Sequence, residues 1–321
     1  MRKESKQRTR SINIGSAQQS YHQRSNYDNN YAFQGFASNK YFTSDRTIQL
    51  DADWNRTDGK DLKGYGLEVE MECRYITNSE VLARVFKSMI LDAYFPKDLW
   101  KQQRDGSLGG SSSTECITQV MTKEFIRNHY VDFKAMWDSM ESLGCRTYST
   151  SCGMHINISN ACFGRDAKVQ EESIKKLCYL INNNYKLFKH AFYRQQDASE
   201  LYFAQWRRYD KDYCKNLDLT AFSSDHHTCI NLGHFSEGRI ELRLVGGQKN
   251  FASFRNTMEL VFFLVERMKD LSWKSLDDLS VVFKGCNQYV YDRLSMRGVQ
   301  EYISRENLEK IDANKVTENY I

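Results

Sequence analysis

Proline is nearly missing from these 321 residues: Pro96 is the only one. Its scarcity excludes a Pro-rich linker or spacer and leaves Phe95-Pro96 as the one place where proline sterics mark a helix end. None of the nine cysteines shares a CxxC spacing, and their number is odd. That speaks against a disulfide framework and suits free thiols in a reducing, cytoplasmic compartment. No apolar run approaches the roughly 20 residues of a membrane span; the longest is Leu260 to Val265. An apolar signal-peptide core is lacking as well. The body of the chain also lacks an excess of either charge. The net +4 resides in residues 1–10, where Arg2, Lys3, Lys6, Arg8 and Arg10 face only Glu4, and the rest holds 40 basic and 40 acidic groups. Neither a nucleic-acid partner nor a membrane is therefore expected for the body.

What is present begins with Tyr65-Gly66-Leu67-Glu68-Val69-Glu70-Met71-Glu72. Leu67, Val69 and Met71 share one face of a strand, and Glu68, Glu70 and Glu72 share the other. Carboxylates about 7 Å apart along a strand raise each other's pKa unless a cation answers them. A divalent metal is one answer; Lys or Arg on a neighbouring strand, beside water, is the other.

Three further stretches alternate in the same way. Thr114-Glu115-Cys116-Ile117 follows the Arg104-Asp105-Gly106-Ser107-Leu108 turn and a Gly/Ser loop at 109–113. Cys152-Gly153-Met154-His155-Ile156-Asn157-Ile158-Ser159 places His155, Asn157 and Ser159 opposite Met154, Ile156 and Ile158. His227 to Leu232, with Asn231, leads through a Ser236-Glu237-Gly238 turn to Arg239-Ile240-Glu241-Leu242-Arg243-Leu244-Val245. There Arg239, Glu241 and Arg243 share the polar face.

Between the strands lie helical periods over 79–95, 123–143 (with Gly144 as C-cap), 168–193 and Phe251 to Leu271. Residues 194–225 follow no period but interleave aromatics with Arg194, Arg207, Arg208, Lys211 and Lys215. Such a segment holds a nucleotide's phosphates and base, or lays its cationic side chains on the surface. The expected organisation is a flexible basic and polar extension at 1–45, a catalytic domain at 46–271, and a helical extension packed on it at 272–321. Its class is α+β: a curved, mainly antiparallel sheet with helices on the aliphatic face and an open polar face.

GLEVEME, RDGSL followed by TEC, CGMHINIS and RIELRLVGG, in that order over residues 64–265, resemble the amidoligase family, relatives of glutamine synthetase and the glutamate–cysteine ligases. The resemblance implies a glutamine-synthetase-type catalytic domain. It implies an ATP-dependent carboxylate–amine ligase that uses Mg²⁺ or Mn²⁺ and works through an acyl phosphate. The expected substrates are a carboxylate and an amine, each a small molecule, peptide or protein. Carried over by position, Glu68, Glu70, Glu115, His155 and Glu241 would hold metal. Arg243 and Arg239 would stabilise the transferred phosphoryl group, with Glu241 beside them, and Arg207 and Arg208 would touch ATP. Asp105, Ser107, Asn157 and Asn231 would meet substrate. The family often has H-x-H where this chain has His155-Ile156-Asn157, so Asn157 is expected on substrate rather than on metal.

Other readings stay open: an inactive fold of this type serving as a binding or assembly module, a thiol enzyme using Cys152 with His155, and a zinc hydrolase using His226, His227 and His234. Adjacent or i,i+3 strand residues diverge, which disfavours the last two.

Overall fold

The computed structural model describes residues 49–50, 56–57, 63–76, 79–95, 99–103, 108, 113–149, 151–194, 211–222 and 228–316. The 1–45 extension and residues Asp105, Ser107, Arg207, Arg208, His226 and His227 lie outside them. The strands are β1 (Gln49–Leu50), β2 (Arg56–Thr57), β3 (Tyr65–Cys73), β4 (Trp100–Gln103) and β5 (Ser113–Thr118). They continue with β6 (Val120–Met121), β7 (Cys145–Arg146), β8 (Met154–Ser159), β9 (Ile230–Asn231) and β10 (Arg239–Leu242). The helices used below are α1 (Ser79–Phe86), α2 (Lys123–Asn128), α3 (Tyr130–Ser142), α4 (Ala167–Asn183), α5 (Tyr185–Ala191), α6 (Phe251–Asp270) and α7 (Gln288–Leu294).

β3 is paired along both edges. On one edge it meets β5, with Glu70 opposite Glu115, and then β6 at Tyr65. On the other it meets β8, with Glu68 opposite His155, and then β7, with Cys73 opposite Cys145. β10 extends the sheet from β8, setting Glu241 opposite Asn157, and β9 closes that side with Asn231 opposite Glu241. These pairings are antiparallel; among the pairings between strands in the described residues, only β1 on β6 is parallel. The chain thus forms a mixed α/β structure on an open, mostly antiparallel sheet.

Period-2 alternation puts Leu67, Val69, Met71, Met154, Ile156, Ile158, Ile240 and Leu242 into the core, each 2% exposed or less. α6 supplies the facing layer, and its Phe262 ring meets Tyr65 edge-on at 4.7 Å. An Asn250–Ser253 capping box starts that helix. Against α6 pack α3, α4 and α7.

Four helical or strand expectations differ in detail. The 123–143 period breaks at His129, whose backbone leaves helix and whose ring meets Asp132 at 2.7 Å. The 168–193 period breaks at Asn184, after Asn182 and Asn183. Its amide turns back onto the Leu180 carbonyl at 3.1 Å, the local competition that makes Asn poor inside helices. After α1 the chain widens into a π-helical turn at Lys87–Leu91. Burial therefore passes to Ile90 and Leu91 while Met89 is half-buried and Ala93 exposed. β10 ends at Leu242 because the N–H groups of Arg243 and Leu244 both donate to the Cys229 carbonyl, at 2.9 and 3.1 Å. That bulge breaks the alternation, so Leu244 and Val245 are both buried.

α6 also carries a fully buried carboxylate. Glu259 accepts Arg127 through two guanidinium nitrogens at 2.9 and 2.7 Å, the Tyr130 hydroxyl at 2.7 Å and the Asn287 amide at 2.9 Å. It therefore ties α2, α3 and the start of α7 to one point. Replacing Glu259 with Ala strands these donors and is expected to lower unfolding stability by about 3–5 kcal/mol in urea titrations. An unchanged midpoint would show that the cluster holds nothing together.

Candidate active site

The polar face of the sheet collects Glu68 and Glu70 from β3, Glu115 from β5, and His155 and Asn157 from β8. β9 and β10 add Asn231, Arg239 and Glu241, and the residue after β10 adds Arg243. These nine are among the positions the sequence singles out. Most are withdrawn from solvent: Asn157 is 0% exposed, Arg239 2%, Glu241 4% and His155 5%. The expectation of an open polar face is corrected in that respect.

Donors from β8 and the segment leading into it answer each β3 carboxylate. Glu72 accepts from the Ser151 hydroxyl and Glu70 from the Gly153 N–H. Glu68 accepts from the Asn157 amide at 2.8 Å and lies 3.3 Å from His155 Nδ1. The same ring nitrogen lies 3.5 Å from Glu241, while Nε2 faces Glu70 at 4.0 Å. Beside this, Arg239 donates to the Asn157 side-chain oxygen, Arg243 donates to Glu241, and Asn231 donates to Glu241 at 2.9 Å.

Burial pushes the Glu68 carboxyl up. The hydrogen bond and charge of His155, then Asn157 and Arg239, outweigh it and hold the group at about 2. Glu68 is thus a firm carboxylate. Together with Glu115 and His155 it forms a group whose donor atoms lie within 4.8 Å of one another. Opposite ligands of one octahedral ion about 2.1 Å away are about 4.2 Å apart. A small side-chain adjustment would let the three share one cation. Two carboxylates and one imidazole suit a hard divalent ion such as Mg²⁺ or Mn²⁺. Glu70 borders this group, while Glu241 is committed to Arg243 and Asn231.

One cation of the aperiodic 194–225 stretch joins this face. Arg194 follows α5 and Tyr193, whose φ of 56° is left-handed. Its guanidinium reaches the Val245 carbonyl at 3.3 Å. A Cβ built on Gly153 would meet Arg194 Nη1 at 2.8 Å, Glu70 at 3.3 Å and His155 at 3.4 Å. Glycine is what lets this side chain lie against β8. Burial lowers the Arg194 pKa, and Glu70 pulls it back up. Arg194 opens the aperiodic 194–225 stretch, and only its charge marks it there.

The rival thiol site loses ground. Burial pushes the Cys152 thiol up to about 12, far from a nucleophilic thiolate at neutral pH. His234 pairs with Glu237 at 3.2 Å. The other two zinc-site histidines lie outside the described residues.

The Glu68 carboxyl sits below its ordinary value of 4.5. Its contribution of about 3 kcal/mol is therefore complete above pH 4.5 and lost as pH falls toward 2. Metal-free protein is expected to lose stability over that range, and Glu68→Gln to lose about 2 kcal/mol less. Denaturant melts at pH 5 and pH 2.5 decide it; equal losses in both proteins would mean that His155 and Asn157 do not hold the carboxylate. No protein-family model matches the chain and no curated protein matches it, so what the site can do is carried by its own side chains.

Proposed function

We propose that the chain is an ATP-dependent carboxylate–amine ligase that forms an amide or isopeptide bond on a glutamine-synthetase-type domain. The observation that carries this reading is the juxtaposition of Glu68, Glu115 and His155 with the Arg239, Glu241 and Arg243 row. Phosphoryl transfer is governed by positioning and by neutralising charge on the moving group, and such a face supplies both.

Glu68, Glu115 and His155 would hold a divalent cation, with Glu70 alongside. The bound ion would neutralise phosphate oxygens. Arg243, aimed by its contact with Glu241, would take part of the charge on the phosphoryl group as it moves. Arg239, aligned by Asn157, would supply the second guanidinium. A substrate carboxylate would attack the γ-phosphorus, expelling ADP and giving an acyl phosphate. An amine would then add at the acyl carbon and release phosphate. Burial of these groups keeps water from the activated acyl carbon.

A second reading is supported by one specific feature. Glu241, Asn231, Arg243, Asn157 and Arg239 already hydrogen-bond one another, as an inert polar network in a binding or assembly module would.

Phosphate release from Mg-ATP, screened with pooled carboxylates and amines, separates the two. A ligase releases phosphate only when both an acid and an amine are present, and Glu70→Gln is expected to slow that release by about 100-fold or more without unfolding. Full turnover in Glu70→Gln would remove Glu70 from the metal assignment, and full turnover in Glu68→Gln would remove the Glu68, Glu115 and His155 site itself. Absence of Mg-ATP binding by calorimetry would favour the binding module.

A further inference from the structure

Away from the polar face, β3 and β7 place two thiols directly opposite each other. Cys73 and Cys145 are register partners, flanked by Glu72 opposite Arg146. The Arg74 N–H donates to the Gly144 carbonyl at 3.2 Å. In an antiparallel ladder hydrogen-bonded and non-hydrogen-bonded pairs alternate, so the cysteines occupy a non-hydrogen-bonded pair. Cα atoms there are about 4.5 Å apart, within the roughly 4.4–6.8 Å that a disulfide spans. Both side chains are reduced in this structure. The Cys73 sulfur lies 3.2 Å from the Leu143 carbonyl.

Access and reactivity support a role for this pair. Cys145 lines a cavity of about 420 Å³, which Arg74, Tyr75, Arg146 and Lys249 also border. Tyr75 is 68% exposed, so the cavity has an outer wall of solvent-facing side chain. The contact between the two thiols acts in opposite directions on them: with burial it pushes Cys145 well up, and it draws Cys73 down to about 6 against burial, with the Tyr75 and Ile76 N–H groups adding to it, so Cys73 is the one poised as thiolate. Low-pKa thiols beside a second cysteine are the ones peroxide oxidises reversibly.

We propose that Cys73 and Cys145 are a redox modification site, closing a reversible disulfide between β3 and β7 when hydrogen peroxide enters through the cavity that Cys145 lines, beside its register partner Cys73. The Cys73 thiolate attacks one peroxide oxygen. The O–O bond breaks, Cys73 becomes a sulfenic acid, and the departing hydroxide takes a proton to become water. The Cys145 sulfur then attacks the Cys73 sulfur. The S–O bond breaks, and the hydroxyl leaves as water with the Cys145 proton. Two thiols lose two electrons, and the peroxide is reduced to two waters. Dithiol reductants reverse the bond.

The decisive experiment treats the reduced full-length protein with hydrogen peroxide, alkylates remaining thiols in denaturant, and maps peptides without reductant. The expected result is one Cys73–Cys145 linked pair, the loss of two thiols per chain, and their recovery with dithiothreitol. The thermal midpoint should rise by several degrees, since the bond closes a long loop. In Cys145→Ser, Cys73 should proceed to sulfinic acid. Cys116, opposite Val69, lies four residues along the ladder from Cys73, about 13 Å away and beyond disulfide reach in this register. A Cys73–Cys116 link, or full alkylation of both Cys73 and Cys145 after peroxide treatment, would overturn the proposal. Mapping the wild-type chain decides it even where a variant does not fold.

Discussion

Three carboxylates on one face of a strand repel each other, and β3 exists because its neighbours answer all three. Ser151 meets Glu72, the Gly153 N–H meets Glu70, and Asn157 with His155 meets Glu68. Those partners come from β8 and the segment leading into it, and their register is set by the aliphatic face opposite. A slip of one residue would carry Leu67, Val69 and Met71 out of the core and the glutamates into it. Core packing and site geometry are therefore one constraint expressed on two faces.

The core also reaches the site from behind. Arg293 on α7 is fully buried and donates to the Ser253 carbonyl at 2.8 Å and to the Thr257 hydroxyl. Its guanidinium lies 3.7 Å from the Tyr193 ring centroid. Burial pulls its pKa down to about 10, so it remains charged at neutral pH. A cation held over Tyr193 secures a residue in the left-handed region. That turn directs Arg194 toward Gly153 and Glu70. The C-terminal helices thus act on the polar face through one aromatic ring.

What the sequence made legible was the alternation. Three stretches with aliphatics at every second position assign Glu68, Glu70, His155, Asn157, Arg239 and Glu241 to one face, since a strand offers no other arrangement; Glu115 joins them through its register opposite Glu70, on a strand whose Ile117 shares that face. Helix interruptions at His129 and Asn184 were not legible, because the apolar period continues through them while local hydrogen bonds decide the break. The bulge after β10 was hidden for a related reason: it depends on one carbonyl, that of Cys229, accepting two N–H groups. Burial of the polar face depends on how tightly side chains from five strands interlock, which no single stretch records. Arg194 stood out in the sequence only as one cation of the aperiodic 194–225 stretch, because its place beside Glu70 comes from a backbone turn and a glycine leading into another strand.

Charge on that face constrains its chemistry. Among the described residues Glu68, Glu70, Glu115 and Glu241 stand against Arg194, Arg239 and Arg243, with His155 between them. With a neutral imidazole the set carries one negative charge, and with a protonated one it is balanced. The apo face thus satisfies itself and has no electrostatic call for an anion. In the ligase reading, a divalent cation on Glu68, Glu115 and His155 would add two positive charges and turn the balance positive. Only then would the face attract a polyphosphate, and the arginines, held by Asn157 and Glu241, would not need to move to meet it. In the ligase reading, metal binding therefore comes before nucleotide, and the pre-paired network that looks inert without metal is what keeps the guanidiniums aligned once it is bound.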